Sequence, residues 1–296
     1  MAGPPEYPAV DRRRVRLALR KAREARGLTQ SDAAAALSSS LSKVQRIESG
    51  EVAVSGPDLR VLLNHYGVTD PAVIADLATA ARVSRRQRYA VDPAHREHLT
   101  PAYAHLLQFE AVAVEIRTFQ LVLVPGPMQT PEYAEALLGF YDRTLTPDER
   151  RVRFDVRMQR RRLLEPDSGV KYLAILDESV MKREIGGLEV MARQLEELAA
   201  LSERPNVMIR VVPLREGAML GTIGPFTVVD LDGKDPEDAV IYRESFGRDI
   251  LEEEPGEVSV HRAGFEKLWA RAWSEELSTS ALLAEAAQLR FRNDSR

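Results

Sequence analysis

Gly27-Leu28-Thr29-Gln30, running on through Ser38-Ser39-Ser40 to Val44-Gln45-Arg46-Ile47-Glu48-Ser49-Gly50, reads as two short helices joined by a tight turn. Thr29 followed three residues later by Asp32 is a capping pattern: the hydroxyl accepts from the backbone amide of the third helical residue, and the carboxylate reaches back. A helix is therefore expected from Gln30. Ala33, Ala34 and Leu37 give it a narrow face of small apolar residues, which lets a second helix cross at close range. Three consecutive serines then favour a turn, because their hydroxyls compete for backbone groups. Ser40 is the expected N-cap of the second helix, and Gly50 ends it where a left-handed residue is needed. Val44 and Ile47 point back at the first helix, leaving Leu41, Ser42, Lys43, Gln45 and Arg46 outward.

These residues resemble the helix-turn-helix of the XRE family of bacterial and phage regulators, down to Gly27-Leu28-Thr29-Gln30 and Val44-Gln45-Arg46-Ile47-Glu48-Ser49-Gly50. The resemblance implies a double-stranded DNA partner. In that family the second helix enters the major groove and its first half meets base edges. Carried onto this chain, Leu41, Ser42, Lys43 and Arg46 become base-facing candidates, beside the outward Gln45, with Gln30 and Ser40 positioning the backbone. The turn position usually held by Gly is Ser38, and the apolar position after it is Ser39. A plain helical hairpin inside a larger core is the competing reading. It supplies no reason for Lys43, Gln45 and Arg46 to share one outward face.

The chain has 296 residues, more than one domain usually needs, and 44% are apolar, enough for a core. Cysteine is absent, which excludes disulfides, cysteine metal sites and thiol nucleophiles. No run reaches membrane-spanning length and Met1 to Val10 lacks the apolar core of a signal peptide, so a cytoplasmic protein with no membrane partner is expected. The net charge of −4 conceals an asymmetry. Residues 1–90 hold 15 Lys+Arg against 9 Asp+Glu, and the rest holds 26 against 36. A basic head on an acidic body suits a DNA reader, since phosphate contacts supply most non-specific affinity. Solvated surface alone also produces such a split, and its coincidence with the helix pair is what gives it weight.

Residues 1–10, with three prolines, read as a flexible arm. From Asp11 to Arg26, Val15, Leu19 and Ala22 keep helical spacing, and the arginines around them read as phosphate or solvent contacts. Leu59, Leu62, Leu63 and Tyr66 mark a fourth helix closed by Gly67. Asp70-Pro71 opens a fifth, with Val73, Ile74 and Leu77. An all-α, five-helix domain is thus expected over residues 11–81. Residues 82–98, with the basic run Arg82 to Arg88, read as a linker that is either solvated or adds phosphate contacts. His95, His98 and His105 read as surface histidines rather than metal ligands.

A mixed α+β domain is expected over residues 99–296. A helix carries Tyr103, Leu106, Leu107, Ala111, Val114 and Ile116. Strands are expected at Phe119–Val124, Val170–Leu176, Val207–Val212, Phe226–Leu231 and Ala239–Tyr242. Thr130-Pro131 caps a helix, and others are expected over Pro147–Leu164, Leu188–Leu201, Val258–Trp273 and Ser278–Leu289. This part resembles the C-terminal domain that accompanies XRE-type modules in regulators of high-GC Gram-positive bacteria. Pro125-Gly126-Pro127-Met128-Gln129-Thr130-Pro131-Glu132-Tyr133-Ala134, Asp177-Glu178, Gly186-Gly187, Met191 with Gln194-Leu195, Asn206-Val207, Val212-Pro213, Gly224 with Phe226, and Tyr242 with Glu244 carry the resemblance. Pro127 and Ala218-Met219 depart from the usual residues. The resemblance implies an antitoxin-like transcriptional regulator, commonly encoded beside a small acidic or toxin-like protein.

Asp177-Glu178 at a strand end is a place where α/β sheets put chemistry, and paired carboxylates can share acid and base roles. The sequence holds no nucleophile elbow, glycine-rich phosphate loop or metal triad, and Gly221-Thr222-Ile223-Gly224 reads as a turn; neither catalysis nor a cofactor is expected. Glu252-Glu253-Glu254 reads as a solvated acidic edge. Two functions remain. One is a homodimeric repressor reading an inverted repeat, whose body receives a small protein partner. The other is a ligand-responsive regulator whose body binds a small-molecule effector among Phe226, Tyr242 and Trp269, with Asp177 or Glu178 supplying polarity.

Overall fold

The computed structural model describes residues 6–85, 98–140, 145–216, 224–231, 238–245 and 248–295. The chain divides into two compact units, residues up to 96 together with 107–109, and residues 97–106 together with 110 onward. Among the described residues no helix is long and apolar enough to cross a membrane.

The N-terminal unit contains α1 (Pro8–Ala25), α2 (Gln30–Ala36), α3 (Leu41–Glu48), α4 (Gly56–His65) and α5 (Pro71–Ser84). Side-chain caps set four of the starts. Thr29 and Asp32 form the reciprocal capping box of α2, Ser40 caps α3, Ser55 caps α4, and Asp70 caps α5. Val15 and Leu19 of α1, Ala33 and Ala34 of α2, Val44 and Ile47 of α3, Leu59, Leu62 and Leu63 of α4 and Leu77 of α5 close one core. Gly50 follows α3 at φ +80°, and a Cβ there would lie 3.0 Å from Cδ of Arg16, so conformation and space both require glycine.

Three expectations shift here. The helix starts at Pro8 rather than Asp11, so the expected arm of residues 1–10 ends early. Pro8 sits in the first turn, where its fixed φ suits a helix, and Ala9 is buried. Residues 1–5 lie outside the described residues. At the other end α5 runs past residue 81 to Ser84, with Val83 and Ser84 buried. Thus the basic run opens inside a helix; its remainder, Arg86 to Arg88, and His95 lie outside the described residues. Val73 faces solvent on that helix while Leu77 fills the core.

The C-terminal unit is a six-stranded mixed sheet with helices on it. In chain order these are α6 (Pro101–Glu110), β1 (Glu115–Gln120), α7 (Pro131–Gly139), α8 (Pro147–Arg160), β2 (Lys171–Asp177), α9 (Glu178–Lys182), α10 (Leu188–Leu201), β3 (Val207–Val212), β4 (Phe226–Asp230), β5 (Ala239–Ser245), β6 (Arg248–Glu252), α11 (Pro255–Arg271) and α12 (Glu275–Asp294). The strand order is β3-β2-β1-β4-β5-β6. The β1, β2 and β3 pairings are parallel, and β4, β5 and β6 continue antiparallel. The α11 face buries Phe119, Leu173, Ile175, Phe226, Val228 and Ile241 against Val258, Phe265 and Leu268. At the β3 edge Ser278 Oγ accepts from the Val211 amide (3.0 Å), and the Trp273 amide donates to the Val211 carbonyl (2.9 Å). That arrangement satisfies outward groups of an edge strand that would otherwise template another chain.

The first strand corrects the expected Phe119–Val124. It lies at 115–120, and Ile116, placed by its pattern in a helix, belongs to it. The apolar run Leu121–Val124 leaves the sheet because side chains capture its end: the Val124 amide donates to Tyr133 Oη (3.3 Å) and its carbonyl accepts from Gln129 Nε2 (2.8 Å). The last turn of the expected 147–164 helix is 3-10 over Arg161–Leu164, the last two helices run longer than expected, and β6 was not anticipated. Glu252, read as an acidic edge, closes β6 and accepts the amides of Glu253 (3.0 Å) and Glu254 (3.2 Å). Gly221 to Ile223 and Ala218-Met219 lie outside the described residues.

The Pro125–Ala134 motif is a clamped loop. Fully buried Gln194 accepts the Thr130 amide at Oε1 (2.8 Å) and donates Nε2 to the Met128 carbonyl (2.9 Å). A Cβ on Gly126 would lie 2.9 Å from Nη1 of Arg160, which Glu110 grips at both its oxygens (2.8 and 2.6 Å). Gln194→Met keeps the volume but orphans a buried donor and a buried acceptor. Each costs about 1–3 kcal/mol, so urea unfolding should report a loss of about 2–5 kcal/mol.

Candidate nucleic-acid interface

The outward face of α3 is built from its caps and its partner helices. Ser40 Oγ accepts from the Lys43 amide at 3.3 Å and fixes the first turn. Before it, α2 ends in a six-to-one and five-to-two hydrogen-bond pair, with the Ser39 amide bonding the Ala34 carbonyl and the Ser38 amide bonding the Ala35 carbonyl, both at 3.0 Å. Ser38 occupies the left-handed position at φ 46°, the one such non-glycine among the described residues. The strain is small, about 1–2 kcal/mol.

Behind this face lies a buried ion pair whose roles the spacing did not disclose. Arg23 of α1 donates Nε to Glu48 Oε1 (2.6 Å) and Nη2 to Oε2 (2.8 Å), while its Nη1 donates to the Leu28 carbonyl (2.8 Å). Arg16 adds a bond to the Glu48 carbonyl (3.3 Å). Arg13, Arg16 and Arg23, expected at phosphate or solvent, are therefore buried. Arg12 donates to the Ser84 carbonyl (3.3 Å) and Arg14 pairs with Asp76. One signal in the chain points to Glu48: an acid in the last turn of a helix opposes the helix dipole and so needs a specific partner.

Gln30 belongs to the same network. Its Nε2 donates to Glu48 Oε2 at 2.9 Å, which ties the start of α2 to the end of α3; the amide keeps a second N–H for a phosphate. Burial pushes the Glu48 carboxyl up, but the bonds from Arg23 and Gln30 outweigh it and hold it below the usual range. Burial and then the Glu48 charge push the Tyr66 hydroxyl up to about 12.

Leu41, Ser42, Gln45 and Arg46 are exposed. Lys43 pairs with Asp58 in the first turn of α4 at 2.9 Å, and Arg46 pairs with Glu51 at 3.0 Å. Burial raises the Asp58 carboxyl, yet the Ser55 and Lys43 bonds prevail and lower it. The Arg46 and Glu51 side chains are 52% and 61% exposed, so the pair is worth about 0–1 kcal/mol. Discrimination by one well-placed side chain against a base is worth about 1–3 kcal/mol, so release onto a base edge is favourable.

The residues offered as an effector site do not converge. Asp177 is buried and accepts the Ser179 amide (2.8 Å) as cap of α9, and Glu178 accepts the Leu214 amide (3.0 Å). Phe226 lies on the α11 face, with ring centroids 6.0 Å from Phe119 and 5.1 Å from His261. Trp269 stacks on Phe265 (5.6 Å) under the Arg210 guanidinium (4.4 Å). Tyr242 pairs in register with Thr227, one residue along from Phe226, so it projects to the opposite face, where its ring lies 6.1 Å from Tyr103. Strand alternation is what separates them.

Ser38→Gly should raise the stability of the unit by about 0.5–1 kcal/mol, because relief of the left-handed strain exceeds the extra unfolded-state entropy; thermal unfolding reads it as a rise of a few degrees. Glu48→Ala leaves Arg23 buried and unpaired and should cost about 3–5 kcal/mol in denaturant unfolding. A depressed folded-state carboxyl stabilises above its unfolded value of about 4.3, and the contribution is lost as pH falls through the folded value. Acid titration of stability should accordingly be shallower in Glu48→Gln than in the parent.

Comparison with known proteins follows the two units. Residues 15–77 match the family described as Helix-turn-helix domain, so the N-terminal unit is a helix-turn-helix DNA-binding domain of a regulator. No curated protein and no solved structure matches the chain. Residues 103–284, more than half of the 296, match a second family, and by that match the chain belongs to the family described as Domain of unknown function (DUF5753).

Proposed function

We propose that this protein is a transcriptional repressor of the XRE type, antitoxin-like, which binds an inverted-repeat operator as a homodimer in the cytoplasm. The observation that carries the reading is the solvent-facing side of α3, where Leu41, Ser42, Gln45 and Arg46 are exposed on a helix held from behind by Arg23, Glu48 and Gln30. A helix fixed on its inner face and polar on its outer face is what major-groove reading requires. Two such helices related by a dyad would meet half-sites about 34 Å apart. In this reading the acidic C-terminal unit takes no part in DNA contact and receives a small protein partner. Asp177 and Glu178 serve backbone amides there, which supports a signalling rather than a catalytic body.

Selection of genomic fragments bound by the full chain supplies the operator, and titration of that duplex at fixed salt tests the assignment. Arg46→Ala should lose about 1–3 kcal/mol on the selected site and relax specificity at one base pair. Binding equal to that of the parent on the selected and mismatched sites would overturn the placement of α3 in the groove.

A further inference from the structure

The last helix has two faces. Ser278, Leu282, Glu285, Ala286 and Leu289 of α12 are buried, and Glu285 pairs with Lys182 while Arg290 bonds Glu196 through both nitrogens (2.7 Å each). The fold is thus satisfied on that side. On the other side Leu277, Ser280, Ala284, Ala287 and Phe291 recur at alternating spacings of three and four and are all exposed, Leu277 at 60% and Phe291 at 73%. This is a seam of about four turns, roughly 21 Å long. Single exposed apolar residues are ordinary, whereas their alignment along one helix face is not.

We infer that this seam is a homodimer interface in which α12 packs antiparallel on α12 of a second copy, about a dyad at Ala284. The charges around the seam select that occupant. Exposed Glu276 stands beside Leu277 at one end, and Arg292, half exposed, stands beside Phe291 at the other. Turning the helix about Ala284 sets Leu277 against Phe291 of the second copy and Glu276 against Arg292 of the second copy, and the same pairs form again across the dyad. A parallel arrangement sets like charge on like charge. Small residues at the centre let the two axes approach closely. Ala287, Gln288, Phe291 and Arg292 line a shallow open hollow that receives Leu277 of the second copy. The inference deepens the homodimer reading above by naming its surface.

Sedimentation of the full chain without DNA tests it, with circular dichroism reporting that each variant is folded. Glu276→Arg alone and Arg292→Glu alone should each raise the dimer dissociation constant at least tenfold, and an equimolar mixture of the two should recover dimers. The chain has no cysteine, so Ala284→Cys supplies a single thiol. A short bis-maleimide should couple that variant to itself at least tenfold faster than Val260→Cys, whose site on α11 is 66% exposed. A parent that stays monomeric at all concentrations overturns the seam and the homodimer together. A parent dimer unmoved by both charge reversals, with Ala284→Cys coupling no faster than Val260→Cys, overturns the seam and leaves a dimer formed elsewhere.

Discussion

The reading helix depends on a carboxylate that sits where a helix least favours one. Glu48 closes α3 against the dipole, and the cost is offset by the Arg23 fork, by the Gln30 amide and by burial of all three behind the turn. The result is that α1, α2 and α3 meet at one point. Apolar contacts among Ala33, Ala34, Val44 and Ile47 decide that the helices pack, but they do not by themselves fix rotation. Directional bonds from a planar guanidinium do. Because rotation of α3 decides which residues face outward, a buried ion pair far from any base controls what the helix can read.

The outer face works by the opposite logic. Lys43 and Arg46 are held by Asp58 and Glu51 in partly solvated pairs of small worth, so the cations are positioned but not committed. Strong interactions lie where geometry must not change and weak ones where a partner must compete. Ser38 fits the same division: its left-handed backbone is kept by the two carbonyl bonds that close α2, despite the absence of glycine.

In the second unit the mixed sheet leaves two edges. Ser278 and Trp273 cover the β3 edge, and doing so brings α12 alongside the sheet with one face buried and one turned out. The outward face is thus a by-product of protecting an edge strand, and its apolar seam is a cost unless another surface covers it. The Pro125–Ala134 loop shows a different economy. Its distinctive residues have structural duties, since Gln129, Tyr133 and Gln194 replace the strand partners that the backbone of this segment lacks.

Local signals were legible. The Thr29–Asp32 box, Ser40, Asp70, Gly50 and Gly67 mark helix ends through bonds spanning three or four residues, so reading along the chain recovers them. The α+β class of the second unit was legible for the same reason, because apolar strands such as Lys171–Asp177 and Val207–Val212 declare themselves by composition. What the sequence could not decide was every partnership across distance. Arg23 and Glu48 are 25 residues apart, Thr130 and Gln194 are 64, and no periodicity links them. The start of β1 at Glu115 was set by its register with Lys171 and Asp230, against the local appeal of Leu121–Val124. The proposed aromatic cluster failed to gather because one residue of strand separates Phe226 from the partner of Tyr242, and a pleated backbone sends successive side chains to opposite faces.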